Sequence, residues 1–159
     1  MTPQTGLIVG RFDPPHLGHS HLIEQAASRC RRLAVFVNSG AADRVPGHLR
    51  AGWLAELHPD VTVIEVAHEL PTDFGDEDLW RRWTVLFESR WPFETGPDVV
   101  FSSDPYVAEL AHRLGAEADV VDAERVTVPI SATLVREEPA EHLHRLAPPV
   151  RAWVEANWL

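Results

Sequence analysis

Leu7-Ile8-Val9-Gly10-Arg11-Phe12-Asp13-Pro14-Pro15-His16-Leu17-Gly18-His19 decides how the rest of the chain is read. The apolar run Leu7–Val9 has the length and bulk of a buried strand, and an apolar-periodic stretch beginning at Leu22 has the spacing of a helix. Between them lies a tight loop stiffened by Pro14 and Pro15, with Gly10 where the backbone must turn sharply or approach a ligand. His16 and His19 fall three residues apart at the helix start, on one face, beside first-turn N–H groups that have no partner within a helix. A helix start of this kind favours anions, and two histidines there suit phosphate, which points to a nucleotide. Arg11 adds a permanent cation where a triphosphate would lie.

Outward from this loop, strand-like runs alternate with helical patterns. Strands are expected at Leu7–Val9, Leu33–Val37, Val61–Val66, Val99–Phe101 and Ala118–Val121, with helices at about 17–29, 48–57, 76–90 and 105–114. Such alternation predicts an α/β fold: a Rossmann-like open parallel sheet of about five strands with helices on both faces. Ligands in such folds bind beyond the carboxyl ends of the strands. The loops at 10–16, 38–47, 67–75, 102–105 and 122–131 would gather at that edge.

A second stretch, Pro129-Ile130-Ser131-Ala132-Thr133-Leu134-Val135-Arg136, reads as another helix start dressed for phosphate. Ser131 is a good N-cap, Thr133 offers a further hydroxyl, and Arg136 supplies a guanidinium able to grip phosphate bidentately. Alone this pattern is common.

Together the two stretches resemble the nucleotidyltransferase superfamily with its HxGH and (I/V)SxTxxR signatures, and within it the NadR-type nicotinamide-mononucleotide (NMN) adenylyltransferase domain. The likeness runs through His16–Ile23, Arg50-Ala51-Gly52-Trp53-Leu54, His58–Val61, Asp73-Phe74-Gly75 with Trp80, Pro97–Ser103, Leu114-Gly115-Ala116 and Leu146–Arg151. It implies one nucleotidyltransferase domain over residues 1–159, in which ATP and NMN give NAD and pyrophosphate by in-line attack, with Mg²⁺ accompanying the triphosphate. His16, His19 and Arg136 would be catalytic. ATP contacts are expected at Gly10, Arg11, Phe12, His16, Gly18, His19, Asp104, Ser131, Thr133 and Arg136. The second substrate would meet Asp13, Arg50, Trp80 and Trp83. For Asp104 a plain helix-capping role is equally open, for Arg50 a solvated helix position, and for Trp80 and Trp83 a core position.

The chain also departs from the pattern. NadR-type domains typically have Ser-Gly-Thr where this chain has Ser131-Ala132-Thr133, Glu then Tyr-Gly at Asp104-Pro105-Tyr106-Val107, and a Trp where Leu143 follows His142. These departures are expected near the ligand edge and bear on substrate choice more than on reaction type. With no Walker-type Gly-x-x-x-x-Gly-Lys loop and nothing DNA-binding ahead of Met1, neither a ribosylnicotinamide kinase half nor a repressor role is expected.

Composition sets the outer limits. At 159 residues the chain suits one domain, and a net charge of −10 argues against general nucleic-acid binding. All 14 basic residues are arginine, so any anion site must be built from clustered Arg and His. No apolar run approaches the ~20 residues of a membrane span. Met1-Thr2-Pro3-Gln4 does not read as a secretory signal, and the lone Cys30 fits a reducing, cytoplasmic setting. No metal site is expected, because a zinc site would want more cysteine. The partners expected are small molecules, a triphosphate and a phosphorylated metabolite, with no nucleic acid, no membrane, and a homo-oligomer left open. Alternatives are a cytidylyltransferase or another nucleotidyltransferase acting on a phosphorylated or phosphonate metabolite, a pantetheine-phosphate adenylyltransferase, and a non-catalytic nucleotide sensor. Class I aminoacyl-tRNA synthetases share HxGH but need a longer, lysine-bearing chain.

Overall fold

The computed structural model describes residues 3–122 and 127–159. Five parallel strands, β1 (Thr5–Gly10), β2 (Arg32–Ser39), β3 (Thr62–Ala67), β4 (Val99–Ser102) and β5 (Glu117–Val120), form one sheet in the order β3-β2-β1-β4-β5. The expected fold class holds. β1 is central, in register with β2 from Thr5↔Arg32 to Gly10↔Val37 and with β4 from Gly6↔Val99 to Ile8↔Phe101.

Both faces of the inner strands are apolar because both are covered. Ile8, Leu33, Val35, Val37, Val99 and Phe101 pack against α1 (Leu17–Ser28) and Leu54 of α2 (Gly47–Leu57). On the other face Leu7, Val9, Ala34, Phe36 and Val100 meet α3 (Glu77–Arg90) and α4 (Val107–Leu114). Fully burying one such side chain contributes about 1.5–3 kcal/mol. α1 cannot begin before His16, since Pro14 and Pro15 deny helical hydrogen bonds. α3 starts where Asp76 accepts from the Leu79 N–H, with Glu77 and Asp78 in its first turn and Arg90 in its last, matching the helix dipole. α4 ends at Gly115 in the left-handed region, φ 72°.

A third packed layer contains the helix start expected at Ser131, but the rest of it has no counterpart among the expected elements. α5 (Ala132–Glu137), a 3₁₀ turn (Pro139–Arg145) and α6 (Pro148–Trp158) bring Val135, Leu146, Val150 and Val154 against Val45, Trp53 and Ile130. This layer presses the second signature stretch onto the first. Among the described residues no helix is long and apolar enough to cross a membrane.

Candidate active site

A cavity of about 400 Å³ opens at the carboxyl ends of β1 and β4, where the strand order changes direction. Its walls come from the β1–α1 loop, the end of β2, the loop before α3, the turn after β4 and the start of α5. In the expected 122–131 loop, residues 123–126 lie outside the described residues.

His16 and His19 cap one another. His16 Nδ1 accepts from the N–H groups of Gly18 (3.0 Å) and His19 (3.3 Å), and His19 Nδ1 accepts from the His16 N–H (3.1 Å). The rings stack with centroids 3.6 Å apart. The first-turn amides are therefore not a bare anion nest, as the helix start alone suggested, because the His16 side chain already takes two of them. An Nδ1 that accepts must carry its proton on Nε2, so each neutral ring becomes an Nε2–H donor, and both rings line the cavity. Gly18 permits the fold-back: a Cβ there would lie 2.8 Å from His16 Cε1. Phe12, at φ 54°, tucks inward and meets His19 edge-on at 4.7 Å, while a Cβ on Gly10 would press on the Phe12 ring at 3.1 Å. Phe12 is 3% exposed and supports the pair from below as well as touching the cavity wall.

Two residues assigned to the second substrate do something else. Arg50 is fully buried and does not line the cavity. Its Nε donates to the Val45 carbonyl (2.8 Å), Nη1 to the carbonyls of Arg11 (2.5 Å) and Asn38 (2.9 Å), and Nη2 pairs with Asp43. Facing inward from α2, it braces the loops behind β1 and β2, and a guanidinium so committed cannot also receive a substrate phosphate. Asp13 touches the cavity, but its carboxylate oxygens accept from the amides of Arg44 and Val45, both at 2.9 Å. It pins one loop to the other. Arg11 lines the cavity with its Nη1 paired to Asp43 at 2.9 Å.

On the opposite wall, Ser131 accepts from the Leu134 N–H as the N-cap of α5 and is not part of the lining. Ala132, Thr133 and Arg136 are. Arg136 donates to the Asp13 carbonyl and, at 3.2 Å, to Thr133 Oγ1. Of the departures from the family pattern, Ala132 and Asp104 reach the cavity, whereas Val107 is buried at the start of α4 and Leu143 packs into the third layer.

The far half of the cavity is aromatic. Trp80 and Trp83 line it from α3, their indole N–H groups donating to the carbonyls of Phe74 (3.0 Å) and Pro71 (3.1 Å). Phe74 stacks on Trp80 at 5.7 Å and on Tyr106 at 5.6 Å. Both tryptophans thus serve the core and the cavity at once. Burial, with Asp104 adding to it, pushes the Tyr106 hydroxyl above its ordinary value. Asp104 sits at the rim, its backbone N–H held by Ser102 Oγ. Sequence reasoning missed Phe74, Tyr106 and Asn38 as lining residues. Phe74 follows β3 in the 67–75 loop already expected at this edge, which was the available signal; Tyr106 lies just past the expected 102–105 loop, at the start of the expected helix.

Among the described residues no group of three or more His, Cys, Asp or Glu side chains could hold a metal ion.

Residues 7–48, from β1 to the first turn of α2, match the family described as cytidylyltransferase-like. The chain is 29% identical to the trifunctional NAD biosynthesis/regulator protein NadR of Escherichia coli K12, over 84% of this chain and 36% of that protein. It is also 29% identical to the nicotinamide-nucleotide adenylyltransferase of Methanospirillum hungatei JF-1, over 70% of this chain and 63% of that one. It therefore spans only about a third of the first relative's length. Among solved structures, a NadR protein in complex with NR superposes with a TM-score of 0.69 at 23% identity, covering 91% of this chain and 43% of that one, a likeness of fold. Both signature stretches meet across one cavity of this fold, and the chain resembles the nucleotidyltransferase superfamily, of the NadR type.

Proposed function

We propose that the chain is an adenylyltransferase that joins ATP and NMN to give NAD and pyrophosphate. The observation that carries this reading is one cavity with a polar half built from His16, His19, Thr133 and Arg136 and an aromatic half built from Phe74, Trp80 and Trp83. The polar half suits a triphosphate, and the aromatic half suits a flat ring. The names of the relatives support the same chemistry.

An oxygen of the NMN phosphate attacks the α-phosphorus of ATP. One P–O bond forms, the bond to the β-phosphate oxygen breaks, and pyrophosphate leaves with that electron pair. The nucleophile is already an anion, so no general base is required, and the protein's share is positioning and charge stabilisation. In this reading the Nε2–H groups of His16 and His19 donate to the oxygens around the reacting phosphorus. Arg136, held against Asp13 and Thr133, turns its remaining N–H groups to the departing phosphates. Arg11 extends the cationic edge, and Asp104 at the rim meets the ribose or base. Mg²⁺ arrives as the Mg·ATP substrate. One domain, small-molecule partners and a cytoplasmic location belong to the same proposal.

The second reading keeps the reaction and changes the triphosphate to CTP; the cytidylyltransferase-like match over residues 7–48 favours it. Pyrophosphate release with ATP or CTP, crossed with NMN, nicotinate mononucleotide, phosphopantetheine and a small phosphonate, separates them. We expect turnover with ATP and NMN, abolished in His19→Ala. Turnover only with CTP would establish the second reading. Turnover only with a non-pyridine acceptor, or none with any pair, would overturn the first.

A further inference from the structure

Asn38, the next-to-last residue of β2, carries a buried polar group that the fold itself does not use. It is 8% exposed and lines the cavity, and its Oδ1 has no hydrogen-bond partner among the described residues. Its backbone carbonyl is committed to Arg50, so the side chain is the part left facing the cavity. Side chains alternate along a strand, and Ala34 and Phe36 of β2 belong to the face packed by α3. Asn38 continues that series and lies on the same face as Trp80 and Trp83. Its register partner on β3 is Val66, in the same cluster. A buried carbonyl without a donor is costly unless a ligand supplies one.

We propose that Asn38 reads the substituent on the acceptor's ring and selects a carboxamide over a carboxylate. The inference rests on the acceptor being a pyridine mononucleotide, as proposed above. A carboxamide pairs with another carboxamide at two points, since each offers one N–H donor and one carbonyl acceptor. A carboxylate has no donor, so it leaves the Asn38 carbonyl buried and unmatched beside a negative group. Arg11, which lines the same cavity, is paired with Asp43 and does not offset this. Sites built around a hydrogen bond reject the analogue that lacks it far more strongly than apolar sites reject a change of size.

The test compares wild type, Asn38→Leu and Asn38→Asp with NMN and nicotinate mononucleotide. It uses pyrophosphate release and, without ATP, quenching of tryptophan fluorescence. Wild type should prefer the amide. Asn38→Leu should lose about tenfold or more in kcat/KM for the amide and little for the acid, so that the preference collapses. Asn38→Asp should keep the amide, because its carboxylate accepts the same N–H, and reject the acid more strongly. An amide-to-acid ratio unchanged in Asn38→Leu, or a wild type that prefers the acid, overturns the inference while leaving the reaction standing. Should Asn38→Leu fail to fold, an unchanged ratio in Asn38→Asp has the same force. A wild type that neither binds nor turns over any pyridine mononucleotide defeats the underlying reading instead.

Discussion

Arg136 donates from Nη1 to the backbone carbonyl of Asp13 at 2.7 Å, joining two stretches that lie 123 residues apart in the chain. The contact presets the distance between the histidine loop and α5 before any substrate arrives. Arg136→Ala should lower stability by roughly 1.5–3 kcal/mol, the worth of a charged hydrogen bond, and cut pyrophosphate release about 10²–10³-fold. Arg136→Lys should recover part of the stability and little of the rate, since an ammonium lacks the planar fork. Urea unfolding beside the rate assay checks both. Equal recovery of both in Arg136→Lys would mean that only the charge matters.

The capping role and the proposed donor role of His16 can be separated. Asparagine is a good N-cap, so His16→Asn should unfold within about 1 kcal/mol of wild type. It should nevertheless lose about 10²–10³-fold in rate, having lost the Nε2–H at the ring's reach. Gly18→Ala should move the His16 ring and lower the rate with the core intact, because its Cβ would lie 2.8 Å from His16 Cε1. Full activity in His16→Asn would reduce the ring to a cap.

Arg50 behaves as a buried brace. Removing it strands three buried backbone carbonyls and leaves Asp43 with only the half-exposed Arg11 as its cation, so Arg50→Ala should cost about 3–5 kcal/mol. Lysine cannot reproduce four contacts spread over a guanidinium plane, and Arg50→Lys should remain destabilised. A raised KM for the acceptor with unchanged unfolding would return Arg50 to the substrate.

Acid should weaken the fold through His58 and His68. Burial, the leading cause for both, holds each below its ordinary value of 6.5; Arg11 adds to it at His68, Glu24 opposes it at His58, and Glu69 and Asp43 oppose it at His68. With the folded value depressed, the unfolded chain takes up protons first as pH falls below 6.5. Stability is therefore complete above that value and declines on acidification towards the lower folded values. Melting temperature measured from about pH 7.5 to 5 should fall, and the slope should flatten in His58→Gln and His68→Gln. An unaltered slope in both variants would exclude these rings as the cause.

All five strands and the first four helices were readable because each inner strand is apolar on both faces and each helix repeats its apolar residues at helical spacing. The edge at which ligands gather could be placed from the same alternation. The role of Arg50 was not legible: a lone arginine in a helix looks the same in sequence whether it faces water or the carbonyls of two loops and a strand. Beyond the helix start at Ser131, the third layer was missed because its apolar residues are scattered among prolines and a 3₁₀ turn, with no sustained period. Asn38 was missed for a simpler reason, since one polar residue ending an apolar strand reads as the strand's boundary.

The central place of β1 has a consequence for how activity is lost. The loop bearing His16 and His19 grows from the strand with ladders on both sides, whereas the aromatic wall comes after β3 at the sheet's edge. Partial opening should begin at that edge, so acceptor binding should fade first under mild denaturant. The histidine loop should yield only with the whole sheet, and its amides should be among the slowest to exchange with deuterium.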